Sequence, residues 1–291
     1  MPELPEVEVT RLRIAPLLLG RRITRVETTG DSYFFLTKPA KLRRVLPGCT
    51  VVALDRHGKY LVLTLDSRAR LVLHLGMTGQ LFGDGATSVR LLSASARAAL
   101  RPEDQPSFRP DVHTHLRLHF SDGAPDVLFR DVRKFGKVFL LAEGEVNSRL
   151  AKLGVDALRA TGDEVFPLLR RRRTAVKSVL LDQSVLAGVG NIYADEALFL
   201  AAVRPRRRAD RITRAECERI IEALQQVLRR SIETGGSSIS DYLAPDGSDG
   251  GYQDERRVYA RAGEACRRCN GRVQRIVIGQ RSAHFCARCQ H

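Results

Sequence analysis

Residues 266–289 read CRRCNGRVQRIVIGQRSAHFCARC, two C-x2-C pairs separated by 16 residues. Each pair forms a tight knuckle whose two thiolates face one point. Two knuckles give a tetrahedral sulfur site with Zn–S near ~2.3 Å. The ligands are Cys266, Cys269, Cys286 and Cys289. Four thiolates leave no open coordination position, so one structural Zn²⁺ is expected and the chemistry must lie elsewhere. The VQRIVI and HFC segments between the knuckles suit a short two-stranded hairpin. The remaining cysteines, Cys49 and Cys217, stand alone and read as small buried hydrophobes.

The partner follows from charge. The 291 residues carry 48 basic and 33 acidic side chains, a net +15. A folded chain this basic points to a polyanion, and nucleic acid is the commonest. An anionic membrane is the rival, but no apolar run reaches spanning length and the N-terminus lacks the plan of a signal peptide. The expectation is a soluble cytoplasmic monomer with no membrane partner. With 43% hydrophobic residues the chain can bury a core. Only seven of the basic residues are lysine, which arginine-favouring codon usage explains as well as phosphate recognition does.

The pattern changes along the chain. Residues 5–19 read as a helix, bent near Pro16 and ended by Gly20. From 22 to about 141 it reads as strands, including YLVLTL (60–65), RLVLHL (70–75), HLRLHF (115–120) and KVFLLA (137–142), with turns at HGK (57–59), DSRAR (66–70) and SDG (121–123). Residues 83–112 read as a long surface loop. Helices are expected at 163–172, 174–183, 193–201 and 213–233, then a glycine-rich loop over 234–256. The division is 1–145, a β domain; 146–160, a hinge; 161–261, a helical domain with the flexible loop; and 262–291, the zinc finger.

Three further stretches carry possible chemistry. In LLDQSVLAGVGNIYADEALF (180–199), Asn191 starts a helix that it is placed to cap. That N-terminus, with RRRRT (170–174) and Lys177, suits a phosphate; an ordinary glycine turn between packed helices fits equally well. Met77 in HLGMTG, with Arg133 and Phe135 in FRDVRKFGK, reads as core filler residue by residue. In a protein that extrudes bases, the same trio would fill the gap and meet the orphaned partner. Lys59 in DRHGKYLVL is, alone, a surface lysine.

The N-terminus reads MPELPEVE. Chain ends are usually frayed and without chemistry. If Met1 is removed, however, Pro2 presents an α-amine, a class that titrates near roughly 7.7–8 and is partly nucleophilic at neutral pH.

Taken together, PELPEVE, GKYLVL, HLGMTG, DVRKFG, LLDQSVLAGVGNIYADEALF, GGSS and the closing cysteine pairs resemble the formamidopyrimidine-DNA glycosylase family, in family order across nearly the whole chain. The resemblance implies an α+β multidomain protein: an N-terminal β-sandwich flanked by helices, a helix–two-turns–helix domain and a zinc-finger β-hairpin, with DNA in a basic cleft between domains. It implies removal of oxidised purines, 8-oxoguanine and formamidopyrimidines, followed by β,δ-elimination through a Schiff base. Carried over residue by residue, Pro2 is the nucleophile, Glu3 the general acid–base group, Lys59 the aid to β-elimination and Arg281 the finger arginine tied to δ-elimination. Glu6 orients the site. His113, Arg172 and Asn191 contact the DNA backbone, and Met77, Arg133 and Phe135 fill the duplex. Tyr252 belongs to the loop that closes over the lesion, a loop that departs from the family as PDGSDGGYQDERR. A second departure, GVDAL at 154–158, is expected to affect only a linker.

Three alternatives stand beside this reading. An endonuclease VIII-like enzyme for oxidised pyrimidines tends to begin PEGP, whereas this chain has Leu4. A non-catalytic zinc protein that only recognises damage would not need Pro2, Glu3 and Lys59. An RNA- or ribosome-binding module fits the charge and the finger but leaves the N-terminal residues unexplained.

Overall fold

In YLVLTL every second side chain points inward, the burial rhythm of a strand with one face on a core. Eight strands build the N-terminal part of the computed structural model, which describes residues 2–86, 110–238 and 242–291. They are β1 (Ile23–Thr28), β2 (Val51–His57), β3 (Tyr60–Leu65), β4 (Arg70–His74), β5 (Gly79–Gly83), β6 (Thr114–Phe120), β7 (Val127–Asp131) and β8 (Lys137–Leu141). They form two four-stranded antiparallel sheets, ordered β1-β6-β7-β5 and β2-β3-β4-β8. One apolar core fills the space between them, with Val26, Leu116, Phe129 and Leu81 from one sheet and Leu61, Leu63, Leu73 and Val138 from the other. This is the expected β-sandwich.

Helix α1 (Leu4–Ile14) packs on β2, β3 and β5 and sends Val7 and Ile14 into that core. At Pro16 the chain tightens into a 3₁₀ turn, Ala15–Leu17, because proline has no N–H to continue the α-helical ladder. The helix α2 (Pro39–Val45) was not anticipated from the sequence; its apolar signal is little more than the buried Leu42.

The chain divides into two units, 1–147 with 235–251, and 148–234 with 252–291. The glycine-rich segment therefore belongs with the sandwich, not with the helical domain to which the sequence pattern assigned it. Its anchors are on α1. Glu6 Oε1 accepts from Ser237 N at 2.9 Å, and Arg13 Nη1 pairs with Asp246 Oδ2 at 2.9 Å.

The second unit contains β9 (Val155–Asp156) and β10 (Leu186–Ala187), with helices α3 (Ser148–Ala151), α4 (Gly162–Arg170), α5 (Val176–Leu180), α6 (Asn191–Leu200), α7 (Arg214–Glu233) and α8 (Tyr252–Glu255). Both α4 and α7 start on capping boxes, Thr161 with Glu164 and Thr213 with Glu216, each satisfying two end N–H groups. The residues 154–158, expected to be a plain linker, instead pair: Val155 and Asp156 lie in parallel register with Leu186 and Ala187. The unit ends in the hairpin of β11 (Val273–Ile278) and β12 (Arg281–Cys286). Among the described residues no helix is long and apolar enough to cross a membrane. Most of the 83–112 loop, residues 87–109, lies outside the described residues.

Candidate active site

The chain start is built in, not frayed. Pro2 is buried, and Glu3 and Glu6 are 4% and 2% exposed. Glu6 lies one turn into α1 and reaches back, its Oε2 accepting from Glu3 N at 2.7 Å. Its other oxygen holds Ser237. One carboxylate thus fixes the residue after Pro2 and a segment 231 positions away.

Lys59 sits in the turn between β2 and β3 and is only 7% exposed, so its default reading as a surface lysine is corrected. The turn is tied to α1 through a pair that sequence reasoning missed. Arg56 Nε donates to Glu8 Oε2 at 2.9 Å, while Arg56 Nη1 donates to the Gly58 carbonyl at 2.9 Å. Arg11 grips the same carboxylate at 2.7 Å. Burial pushes the Glu8 carboxyl up, but the hydrogen bonds and charges of the two arginines outweigh it and hold it below the usual carboxylate value. The available signal was the alternation of charge in PEVEVTRLR, which places Glu8 and Arg11 on one helical face.

Met77, Arg133 and Phe135 come together on two abutting turns of this unit. Met77 and Phe135 are exposed, 36% and 41%, and the Arg133 guanidinium lies 4.6 Å from the centre of the Phe135 ring. Gly76 makes the contact between turns possible. It adopts φ +65°, and a Cβ there would lie 2.4 Å from Gly136 N. His113 borders the same turns, its carbonyl accepting from Asp131 N at 2.9 Å.

In the second unit, Asn191 is the first residue of α6, and Gly190 occupies the capping position. Asn191 therefore does not cap. Its amide Nδ2 donates to Ser282 Oγ at 3.3 Å, which joins it to the residue after Arg281. Arg281 is exposed and opens β12 after a two-residue turn in which Gly279 and Gln280 both take positive φ. Arg172, between α4 and α5, pairs with Asp182. Lys177 does not add charge for a phosphate. It is fully buried, its Nζ bonding Asp195 Oδ1 at 2.5 Å and the Ser282 carbonyl at 2.5 Å, and Asp195 Oδ2 also accepts from His284 N at 2.8 Å. Tyr252 is likewise fully buried, its ring 5.5 Å from that of Tyr193.

The four cysteine sulfurs of the finger all lie within 4.8 Å of one another. Cys266 and Cys289 approach to 3.9 Å, and Cys269 and Cys286 to 3.5 Å. A tetrahedron with ~2.3 Å Zn–S bonds has edges of about 3.8 Å, so the thiolates fit one structural zinc ion. Cys266 and Cys286 also join Phe199, Val258 and Val273 in an apolar cluster that seats the finger on α6.

Known proteins match this arrangement along the whole chain. Residues 1–138 fit the family model of the formamidopyrimidine-DNA glycosylase N-terminal domain, 153–242 the H2TH domain of that glycosylase, and 263–291 the zinc finger found in FPG and IleRS. A formamidopyrimidine-DNA glycosylase of Xanthomonas campestris pv. campestris is 38% identical, and one of Thioalkalivibrio sulfidiphilus 40%, each over 100% of both chains. The crystal structure of the MutM (Fpg) protein from Thermus thermophilus superposes with a TM-score of 0.81 at 36% identity, covering 99% of this chain and 98% of the other. The Lactococcus lactis Fpg in complex with abasic-site DNA gives 0.83 at 30% identity, with 99% of each chain covered.

Proposed function

The chain belongs to the formamidopyrimidine-DNA glycosylase family and is a base-excision repair enzyme acting on DNA, and on that premise we propose that it removes oxidised purines from duplex DNA and cleaves the abasic product through Pro2. Lactococcus lactis Fpg is seen with DNA containing Fapy-dG, which supports a purine substrate here. The observation that carries the reading is the buried chain start, with Glu6 holding Glu3 N at 2.7 Å. Chain ends are held this firmly only when something positions them.

The secondary amine of Pro2 attacks the sugar C1′, and the base leaves with the electrons of the glycosidic bond. Glu3, buried beside it, supplies and removes protons. Opening of the sugar ring at C1′ yields an iminium, a cation that needs no protonation. That cation acidifies the C2′ proton; its loss expels the 3′ phosphate, and a second elimination expels the 5′ phosphate. Lys59, on the turn that Arg56 fixes, assists the first elimination. Arg281 faces solvent at the finger tip and is assigned to the flanking phosphates. His113, Arg172 and Asn191 are assigned to backbone phosphates, and Met77, Arg133 and Phe135 to the gap left by the extruded base. The finger zinc holds its hairpin and takes no part in the chemistry.

Borohydride trapping on a duplex with one 8-oxoguanine opposite cytosine tests the proposal. Protein lacking Met1 is expected to give a covalent adduct that maps to the N-terminal peptide, and Pro2→Gly to give far less. Trapping on an oxidised pyrimidine but not on 8-oxoguanine would reassign the substrate. An intact protein that binds the duplex yet traps on neither these nor a plain abasic site would overturn the enzymatic reading.

A further inference from the structure

The two turns that carry Met77, Arg133 and Phe135 share one buried carboxylate. Asp131, the last residue of β7, is 0% exposed. Its Oδ1 accepts from Thr78 Oγ1 at 2.5 Å and from Arg133 N at 3.2 Å, and its Oδ2 accepts from Gly136 N at 2.7 Å. Thr78 Oγ1 is itself 3.1 Å from Arg133 N. The bonds to Arg133 and Gly136 bracket the arginine and the phenylalanine, while the bond to Thr78 secures the residue after Met77. One side chain thus bonds both turns.

The main chain of Asp131 is fixed as well. Its N–H donates to the His113 carbonyl at 2.9 Å, and its carbonyl accepts from His115 Nε2 at 2.9 Å. His115 is buried, and burial keeps it below the ordinary histidine value, so the neutral ring with its proton on Nε2 fits this bond. There is no slack around the carboxylate: a Cβ on Gly136 would lie 2.9 Å from Asp131 Oδ2.

We propose that Asp131, with Thr78, is a positioning residue for lesion extrusion: it locks the Met77 turn and the Arg133–Phe135 turn into one rigid wedge. The inference rests on the reading above, in which these side chains fill the duplex. Unstacking a base step costs roughly a few kcal/mol, so side chains that replace the base must enter without yielding. Turns already fixed in the inserting geometry lose no further freedom on binding. The acceptor count explains why a carboxylate serves here. Three donors converge on two oxygens, and asparagine would turn one of those oxygens into a fourth donor.

The test is a double-mutant cycle with Asp131→Asn and Phe135→Ala, read on two substrates. The first is a duplex with 8-oxoguanine opposite cytosine. The second is a single-stranded abasic oligonucleotide trapped with borohydride, which has no base to extrude and no stack to fill. Asp131→Asn is expected to lower kcat/KM on the duplex about tenfold, the size expected for a buried donor left without an acceptor, and to leave single-strand trapping within about twofold. In the Phe135→Ala background the same substitution is expected to cost little more, because the wedge is already blunted. Equal losses on both substrates, or fully additive losses in the cycle, would overturn the inference. If Asp131→Asn does not fold, Thr78→Val removes one bond of the clamp and carries the same cycle. An inactive wild type would overturn the repair reading along with this one; an active wild type with additive losses would overturn this one alone.

Discussion

The zinc finger and the paired turns at 76–78 and 132–136 both present a few exposed side chains, and they are built by opposite means. The finger gathers four thiolates from 24 consecutive positions around one metal. The paired turns gather a hydroxyl and two backbone N–H groups around one carboxylate, across 53 positions of sequence between Thr78 and Asp131. The first device is strong, local and readable by eye. The second is weaker bond by bond, depends on the sandwich already being folded, and leaves no spacing rule in the sequence. In the paired turns the group that does the holding is fully buried, whereas in the finger Cys269 and Cys289 are half-buried.

The largest effect follows from removing the metal. Structural zinc contributes about 10–16 kcal/mol in finger-sized sites. Chelation, or Cys286→Ala, is therefore expected to melt the β11–β12 hairpin and abolish binding to duplex DNA. Hydrogen exchange would show loss of protection across 273–286. The Gly136 amide, held by Asp131, should keep its protection. Loss there on chelation would break the comparison, because the sandwich turns would then depend on the finger.

The next effect sharpens the comparison inside the finger's own unit. Lys177 and Asp195 are both fully buried, and between them they hold Ser282 and His284 of β12. Removing one member of a buried pair leaves the other charge uncompensated, typically at about 3–5 kcal/mol. Lys177→Met is expected to lower the unfolding free energy by that amount with the zinc content unchanged. A loss below about 1 kcal/mol would mean that the metal alone sets the hairpin.

How much of this was legible divides along the same line. The cysteine ligands and the hairpin between them follow from spacing, and the strands at 60–65 and 115–120 follow from alternation, because those signals are local. The T-x-x-E caps of α4 and α7 were equally local but went unread. Residue type misled wherever tertiary context decided. Lysine suggests solvent, yet Lys59 and Lys177 are buried. Asparagine at a helix start suggests a cap, yet Asn191 bonds Ser282. Asp131 and Glu8 were passed over because an acidic residue in a charged stretch reads as surface, and each holds one partner distant in sequence, Thr78 for Asp131 and Arg56 for Glu8. The trio at 77, 133 and 135 was visible only through resemblance to a family; by composition it was core filler.

The smallest effect concerns Glu8, a carboxylate of the same kind as Asp131 but nearer the surface. It holds Arg56, and Arg56 holds the turn of Lys59. The Glu8 carboxyl titrates below its ordinary value of 4.5 in the folded chain. Protons therefore bind the unfolded chain more readily, and stability rises with pH across that interval. The contribution is complete above about pH 4.5 and is lost as pH falls through the lower folded value. Glu8→Gln keeps the shape and removes the charge. It is expected to cost about 1–2 kcal/mol at pH 7, the range for charge-assisted bonds that are partly exposed. That difference from wild type should shrink as pH falls below 4.5 and vanish below the lowered folded value, where protonated Glu8 resembles the variant. A difference that stays constant as pH falls from about 7 until the chain unfolds would mean that packing, not charge, links α1 to the turn. The trapping rate discriminates further. If Arg56 positions Lys59 only while Glu8 is charged, Glu8→Gln slows strand cleavage after base release more than it slows base release itself. Equal slowing of both steps would confine Glu8 to stability, in contrast to the role inferred for Asp131.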